Sequence, residues 1–172
     1  MSLPPEVTTL RLRLPLVTTA ERDDMLAGRR RPEWHADYPR EDDRDAVTML
    51  RDGAGDGAGD GTDPWGPRHI VRAVDGLVVG SIGFFGPPEA VDGTPETEVG
   101  YGLVADARGH GAATEALRGL LAVTDRGGVR VRASVLPDNT ASIRVLAKCG
   151  FTELRGANED GELVMARPVP TP

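Results

Sequence analysis

The chain has 172 residues, enough for one domain with a substantial core, and its formal net charge is −7. The acidic balance excludes a general nucleic-acid binder, which needs a basic excess to displace counterions, and leans toward cationic partners such as amines. No run approaches the roughly 18 apolar residues of a membrane span, the opening "MSLPPEVTTL" lacks the basic start and long apolar stretch of a signal peptide, and the single cysteine, Cys149, excludes an intramolecular disulfide framework. A cytoplasmic protein is the expectation.

In chain order, "TTLRLRLPLV" alternates Leu10, Leu12 and Leu14 with Arg11 and Arg13, which predicts one half-buried strand. "TTAERDDMLAGRR" starts on a threonine cap, carries acids in its first turns and ends on arginines, the charge order that complements a helix dipole. "YPREDDRDAVTMLRD" predicts a second helix with Ala46, Val47, Met49 and Leu50 on its apolar side. The Gly-Asp tract from Asp52 to Asp63 lacks the large apolar residue of calcium-binding β-helix repeats and reads as a flexible surface loop, 52–63. In "RHIVRAVDGLVVGSIGFFG" two apolar runs flank Asp75-Gly76, the dipeptide of a type I′ hairpin turn. "PPEAVDGTPE" reads as loop. "TEVGYGLVAD" reads as a strand whose glycines mark a bulge or a close approach. A helix of about four turns over "GHGAATEALRGLLAVTD" follows, then the strand "GGVRVRASV", a helix over "PDNTASIRVLAKCG" capped by asparagine and closed by Gly150, and a final strand pair around Glu159-Asp160-Gly161. Interleaved helices and strands predict an α/β sandwich around one sheet. A single domain over 8–169 is expected, because too few elements precede the Gly-Asp loop to fold alone.

The stretch "ADARGHGAATEAL" carries the chemistry. A helix start exposes unpaired N–H groups, and these with the helix dipole favour an anion. Gly109 and Gly111 allow the backbone to approach a bulky oxyanion, Ala112 and Ala113 keep the approach low, and Arg108 adds a planar cationic fork. A P-loop needs Gly-Lys-Ser/Thr, which is missing. A Rossmann turn needs Gly or Ala where Thr114 stands and no intervening Ala105 to Arg108.

Arg108, Gly111 and Ala113 fit a third pattern, Arg/Gln-x-x-Gly-x-Gly/Ala. With "TLRLRL" before it, "EVGYGL" (Glu98 to Leu103) just upstream and "NTASIRVLAKCGF" (Asn139 to Phe151) downstream, the chain resembles the Gcn5-related N-acetyltransferase (GNAT) family, in its ribosomal-protein alanine N-acetyltransferase (RimJ/RimL-like) branch, from about Leu10 to Arg167. The resemblance implies a three-layer α/β/α sandwich around a mixed, mostly antiparallel sheet, with acetyl-CoA as acyl donor. It implies a strand that splays from its neighbour to admit the pantetheine arm. Leu103 and Val104 would supply backbone groups to that arm, Arg108, Gly109, His110, Gly111, Ala112 and Ala113 would hold the pyrophosphate, and Asn139 would contact the pantetheine or a water beside it and, with Ser142, point at the thioester sulfur as a catalytic residue. Glu98 would deprotonate the amine, directly or through water, or only attract and orient the cation. Ser142, three residues after Asn139 on one helical face, would serve as acid toward the thiolate, because the position where many relatives carry a tyrosine is Leu146 here. Trp34, His35 and Tyr101 would line the acceptor pocket.

Other residues carry ordinary readings. His69 is structural, Cys149 is a small packed residue rather than a nucleophile, and no Cys/His cluster has metal spacing, so no metal is expected. The expected activity is transfer of an acetyl group to a primary amine, a protein N-terminus or a small molecule, by direct attack in a ternary complex. The alternative is a non-catalytic acyl-CoA-binding or sensing module. No nucleic-acid or membrane partner is expected, and the protein is expected to be a monomer or homodimer.

Overall fold

The structure is a computed structural model and describes residues 1–50 and 62–169. Its elements are β1 (Glu6–Thr8), β2 (Leu12–Pro15), α1 (Thr19–Leu26), α2 (Glu41–Thr48), β3 (Pro67–Arg72), β4 (Val78–Phe84), β5 (Glu89–Val91), β6 (Thr94–Leu103), α3 (Ala112–Arg126), β7 (Arg130–Val135), α4 (Thr140–Lys148), β8 (Glu153–Ala157) and β9 (Leu163–Arg167). A short 3₁₀ turn, Ala105–Ala107, joins β6 to α3. The strands form one sheet in the order β1-β2-β3-β4-β6-β7-β9-β8, with β5 added beside β6. Among the strand pairs of the described residues only β6 and β7 run parallel, because the 15-residue helix α3 carries the chain back across the sheet between them. Of the Gly-Asp tract, Thr62 and Asp63 alone fall within the described residues.

The alternation of side chains sorts the helices into two layers. On β6, Glu98, Gly100 and Gly102 share a face. There the guanidinium of Arg40, the residue that opens α2, lies against Gly102, and the buried Asp43 accepts the hydroxyl of Ser81, the register partner of Gly102. The opposite face belongs to α3 and α4. Ala116, Leu117, Leu120 and Leu121 of α3 are buried, and the Tyr101 hydroxyl donates to the Ser142 carbonyl of α4 at 3.3 Å. This is the expected three-layer α/β/α sandwich around a mixed, mostly antiparallel sheet.

Four local expectations are corrected. The leucine-arginine run is two strands, not one: Thr9 bonds Leu12 through both backbone and hydroxyl, folding the chain back at Leu10, which is 92% exposed while Leu12 and Leu14 are buried. The first helix ends at Leu26 with no base in its last turn, and Arg29 and Arg31 turn back to chelate Asp24. The β3–β4 connection is not a type I′ turn. That turn needs positive φ at both central residues, and of the pair only Gly76 has it (71°). The two-residue turn sits instead at Asp92-Gly93 (φ 50° and 75°), inside the stretch read as loop, and makes β5 a hairpin partner of β6.

His69 is a core residue, its Nδ1 2.7 Å from the Tyr38 hydroxyl. Beside it Arg68 is fully buried and donates to the carbonyls of Pro4, Pro5, Leu14 and Pro64; burial pushes its pKa down to about 10. That fan of bonds ties the N-terminal segment to β2 and β3.

Candidate active site

β6 and β7 are paired only at Glu96↔Arg130, Thr97↔Val131 and Glu98↔Arg132. Beyond that point β6 stays with β4 through Leu103, while β7 stays with β9 through Val135, so a V-shaped gap opens immediately after Glu98. Backbone groups on a strand alternate in direction. The Phe85 N–H reaches the Glu98 carbonyl and the Val104 N–H reaches the Val79 carbonyl, both on the β4 side, so the groups of Val99, Tyr101 and Leu103 point into the gap. Leu103 therefore faces the gap, with its carbonyl accepting Arg108 Nε at 3.1 Å. Val104 does not, because its N–H belongs to the β4 ladder.

A cavity of about 440 Å³ occupies the gap and passes from one face of the sheet to the other. Arg40, Phe85 and Ser134 line it on the α2 side, and Tyr101, Asn139 and Ser142 on the α4 side. The two strand glycines make room for its wall. A Cβ at Gly100 would stand 2.9 Å from the Phe85 ring, and one at Gly102 would stand 2.6 Å from Arg40 Nη1 and closer still to Nη2. The close approach anticipated from these glycines is made by side chains rather than by another backbone.

At the other end of β6 the anion cradle takes shape. Gly109 and Gly111 have φ of 81° and 78°, conformations that side chains resist, and a Cβ at Gly109 would meet nothing within 4 Å. Gly111 caps α3, and its carbonyl accepts the Glu115 N–H, leaving the N–H groups of Ala112, Ala113 and Thr114 at the helix mouth. Arg11, on the β1–β2 turn, donates from Nη1 to the His110 carbonyl, and its Nη2 lies 3.5 Å from the Cβ position of Gly111. Glu115 fixes that arginine through a 2.6 Å bond to Nε, and Thr9 donates to the same carboxylate. Positive charge and open backbone together suit a diphosphate.

Glu98 sits at the apex of the gap. Its Oε1 accepts from Ser134 Oγ at 2.7 Å and its Oε2 from Arg132 Nε at 3.1 Å. Next to it the buried Glu96 is ringed by Arg130 and Arg155. Burial works to raise its pKa, but the hydrogen bonds from Arg155 and Arg130 outweigh that and hold it below the usual range. On the α4 wall, Asn139 caps the helix, its Oδ1 accepting the Ser142 N–H at 3.1 Å, and both residues line the cavity. Leu146 is buried in the same wall. Burial pushes the Tyr101 hydroxyl up to about 12, so it stays protonated and donates to α4.

The sequence matches the profile of the acetyltransferase (GNAT) domain over residues 11–152. The chain belongs to the GNAT acetyltransferase family. No curated protein matches it in sequence. Among solved structures, a GnaT-family acetyltransferase from Bordetella pertussis is 25% identical, with a TM-score of 0.67 over 95% of this chain and 99% of that one. RimJ of Mycobacterium smegmatis in complex with CoA-disulfide is 24% identical, with a TM-score of 0.64 over 95% and 87%. The ribosomal-protein-S5-alanine acetyltransferase of Vibrio fischeri is 14% identical, with a TM-score of 0.63 over 97% and 99%. Family membership makes the protein an acetyl-CoA-dependent acetyltransferase, and among the described residues no helix is long and apolar enough to cross a membrane.

Two residues expected in the acceptor pocket of this GNAT acetyltransferase lie elsewhere. Trp34 is buried in an aromatic cluster with Tyr38 and His69, and its backbone bridges Val78. His35 leans on Asp106 at 3.5 Å, and its Nδ1 accepts the Asp37 N–H. Neither lines the cavity. Among the described residues, His35, Asp37 and Asp106 bring their ligand atoms within 4.8 Å of one another, a grouping that no sequence spacing reveals; both aspartates are exposed. Sequence reasoning missed Arg40, Phe85, Arg132 and Ser134. For Arg132 and Ser134 a signal existed: once Glu98 is placed on a strand beside "RVRAS", every second residue of that run faces the carboxylate.

Proposed function

We propose that this GNAT acetyltransferase acetylates a primary amine by direct attack within a ternary complex. The observation that carries the reading is the cavity running through the sheet at the β6–β7 gap, lined by Arg40 and Ser134 on the α2 side and by Asn139 and Ser142 on the α4 side. Donor and acceptor approach from opposite faces and meet between the strands, which converts a bimolecular reaction into one inside a fixed geometry.

In this reading Arg108 to Ala113, with Arg11 beside them, hold the diphosphate of acetyl-CoA, and the groups of Tyr101 and Leu103 that face the gap receive its amide arm. Asn139 and Ser142 stand at the α4 wall, where the departing thiolate needs a proton. Glu98 draws the amine and accepts its proton. Carboxylates at Asp42, Asp45 and Glu162 line the α2-side wall and favour a cationic acceptor. The alanine N-terminus of a ribosomal protein heads the acceptor classes, on the resemblance to the RimJ/RimL-like branch.

Two measurements test it. Acetyl-CoA at a hundred times its dissociation constant should stabilise the protein by about 2.7 kcal/mol in a thermal melt, whereas NAD and ATP should not. Mass spectrometry should then find an N-acetyl product, 42 Da heavier (roughly, one acetyl for one hydrogen), among peptides beginning with alanine or serine and small polyamines. No product from any amine overturns the reading.

A further inference from the structure

The expected base does not touch the cavity. Glu98 is not among the residues that line it, whereas Ser134, the residue bonded to Glu98 Oε1, is. The register explains why. Arg130, Arg132 and Ser134 alternate along the face of β7 that meets Glu98, and β6 leaves β7 after the Glu98↔Arg132 pair. Ser134 is therefore the first residue of that face beyond the splay, and its hydroxyl stands between the carboxylate and the opening. Arg132 Nε holds the other carboxylate oxygen, which turns Oε1 toward Ser134.

We propose that Ser134 is a catalytic residue that contacts the acceptor nitrogen and relays its proton to Glu98. The inference rests on the amine-acetyltransferase reading above. The neutral amine attacks the thioester carbonyl carbon, and the new N–C bond leaves positive charge on nitrogen. That nitrogen gives one proton to Ser134 Oγ while the Ser134 hydroxyl proton passes to Glu98 Oε1, so the serine ends unchanged and the carboxylate neutral. Collapse breaks the C–S bond, the sulfur keeps the electron pair and takes the hydroxyl proton of Ser142, which water replaces, and Glu98 later returns its proton to water. Amine and thioester become amide and thiol with no net gain or loss of protons. A hydroxyl suits the task because it accepts and donates at once, and the nitrogen that forms during attack is acidic enough to transfer to a carboxylate that would be a poor base for a free ammonium.

The test uses the full chain and the fastest amine from the panel above. Ser134→Ala should lower kcat about a hundredfold while leaving the dissociation constant of acetyl-CoA unchanged. Ser134→Thr, which keeps a hydroxyl, should restore most of the rate. Glu98→Gln should lower kcat by a similar factor, and the double variant Ser134→Ala/Glu98→Gln should be no slower than the worse single one, because steps in series are not additive. In mixtures of H2O and D2O the wild-type rate should curve, as for two protons in flight, and become linear in Ser134→Ala. Full activity in Ser134→Ala, or independent additive losses in the double variant, overturns the relay while leaving the acetyltransferase reading intact. No turnover of any amine by the wild type overturns both.

Discussion

In the proposed cradle a single arginine, Arg108, would set how firmly the donor is held. Arg108 donates from Nε to the Leu103 carbonyl, so its stem is tethered to the end of β6, one residue before the first of the two positive-φ glycines. Charge-assisted bonds to a phosphate are worth about 1.5–3 kcal/mol when made from such a fixed fork. Arg108→Ala should raise the dissociation constant of acetyl-CoA about tenfold or more and flatten its salt dependence, read by titration calorimetry at two ionic strengths; an unchanged affinity would remove this arginine from the cradle. The proposed cradle could be put forward from the sequence because it is local: arginine, glycines and helix start follow one another within six residues. Ser134 and Arg40 could not be, since each acquires its meaning from a residue more than thirty positions away, Glu98 for one and Gly102 for the other. Trp34 and His35 were assigned to a pocket by neighbourhood in the family, and packing took Trp34 into the core instead.

At the scale of elements, α1 and α2 are fastened to the sheet by polar groups as much as by apolar ones, and both fastenings are testable. Glu21 closes a capping box with Thr18 and stands 3.3 Å from His69 Nε2 on β3, near enough for charge attraction though off the line of a hydrogen bond. Burial works to raise the Glu21 pKa, but His69 and Thr18 prevail and bring it from 4.5 down to about 2. A depressed carboxylate stabilises the fold fully above its unfolded pKa, and that stability drains away as pH falls from about 4.5 through about 2. Glu21→Gln should therefore cost on the order of 1–2 kcal/mol at neutral pH, after discounting for partial solvent screening, and its urea stability should fall less than that of the wild type between pH 5 and pH 3. Parallel pH profiles would exclude the pair. The second fastening is Arg40 on the buried Asp43, with Gly102 supplying the room. Gly102→Ala should push the guanidinium aside, leave Asp43 short of its partner and cost about 2–3 kcal/mol, with a lower denaturation midpoint at unchanged m-value; an unshifted midpoint would mean that the arginine moves freely. Element types were readable from period and caps, with α3 and α4 falling where the apolar stripe and the Asn139 cap put them. Turns were less so. Asp75-Gly76 and Asp92-Gly93 are the same dipeptide, yet only the second has positive φ at both residues and closes a two-residue hairpin.

For the whole molecule the decisive property is that a sheet otherwise continuous is open along one seam. The seam lies where the parallel pair β6–β7 parts, because β6 keeps its antiparallel bond with β4 and β7 its antiparallel bond with β9, and among the described residues no strand fills the space between. On the proposed reading, two molecules that occupy the seam from opposite faces would be oriented by the sheet itself, and no acyl-enzyme would be needed to carry the acetyl group from one to the other. The one thiol is poorly placed for that task. Cys149 is buried at the end of α4, its Sγ 3.8 Å from the Thr114 carbonyl, and burial raises its pKa, which keeps it a thiol at neutral pH. Steady-state rates measured while both substrates vary should therefore give intersecting double-reciprocal lines, the mark of a ternary complex, and Cys149→Ala should keep kcat within about threefold while losing a little stability from the vacated volume. Parallel lines together with an inactive Cys149→Ala would mean that the acetyl group is parked on sulfur, and the open seam would then be a passage rather than the place where the two substrates meet.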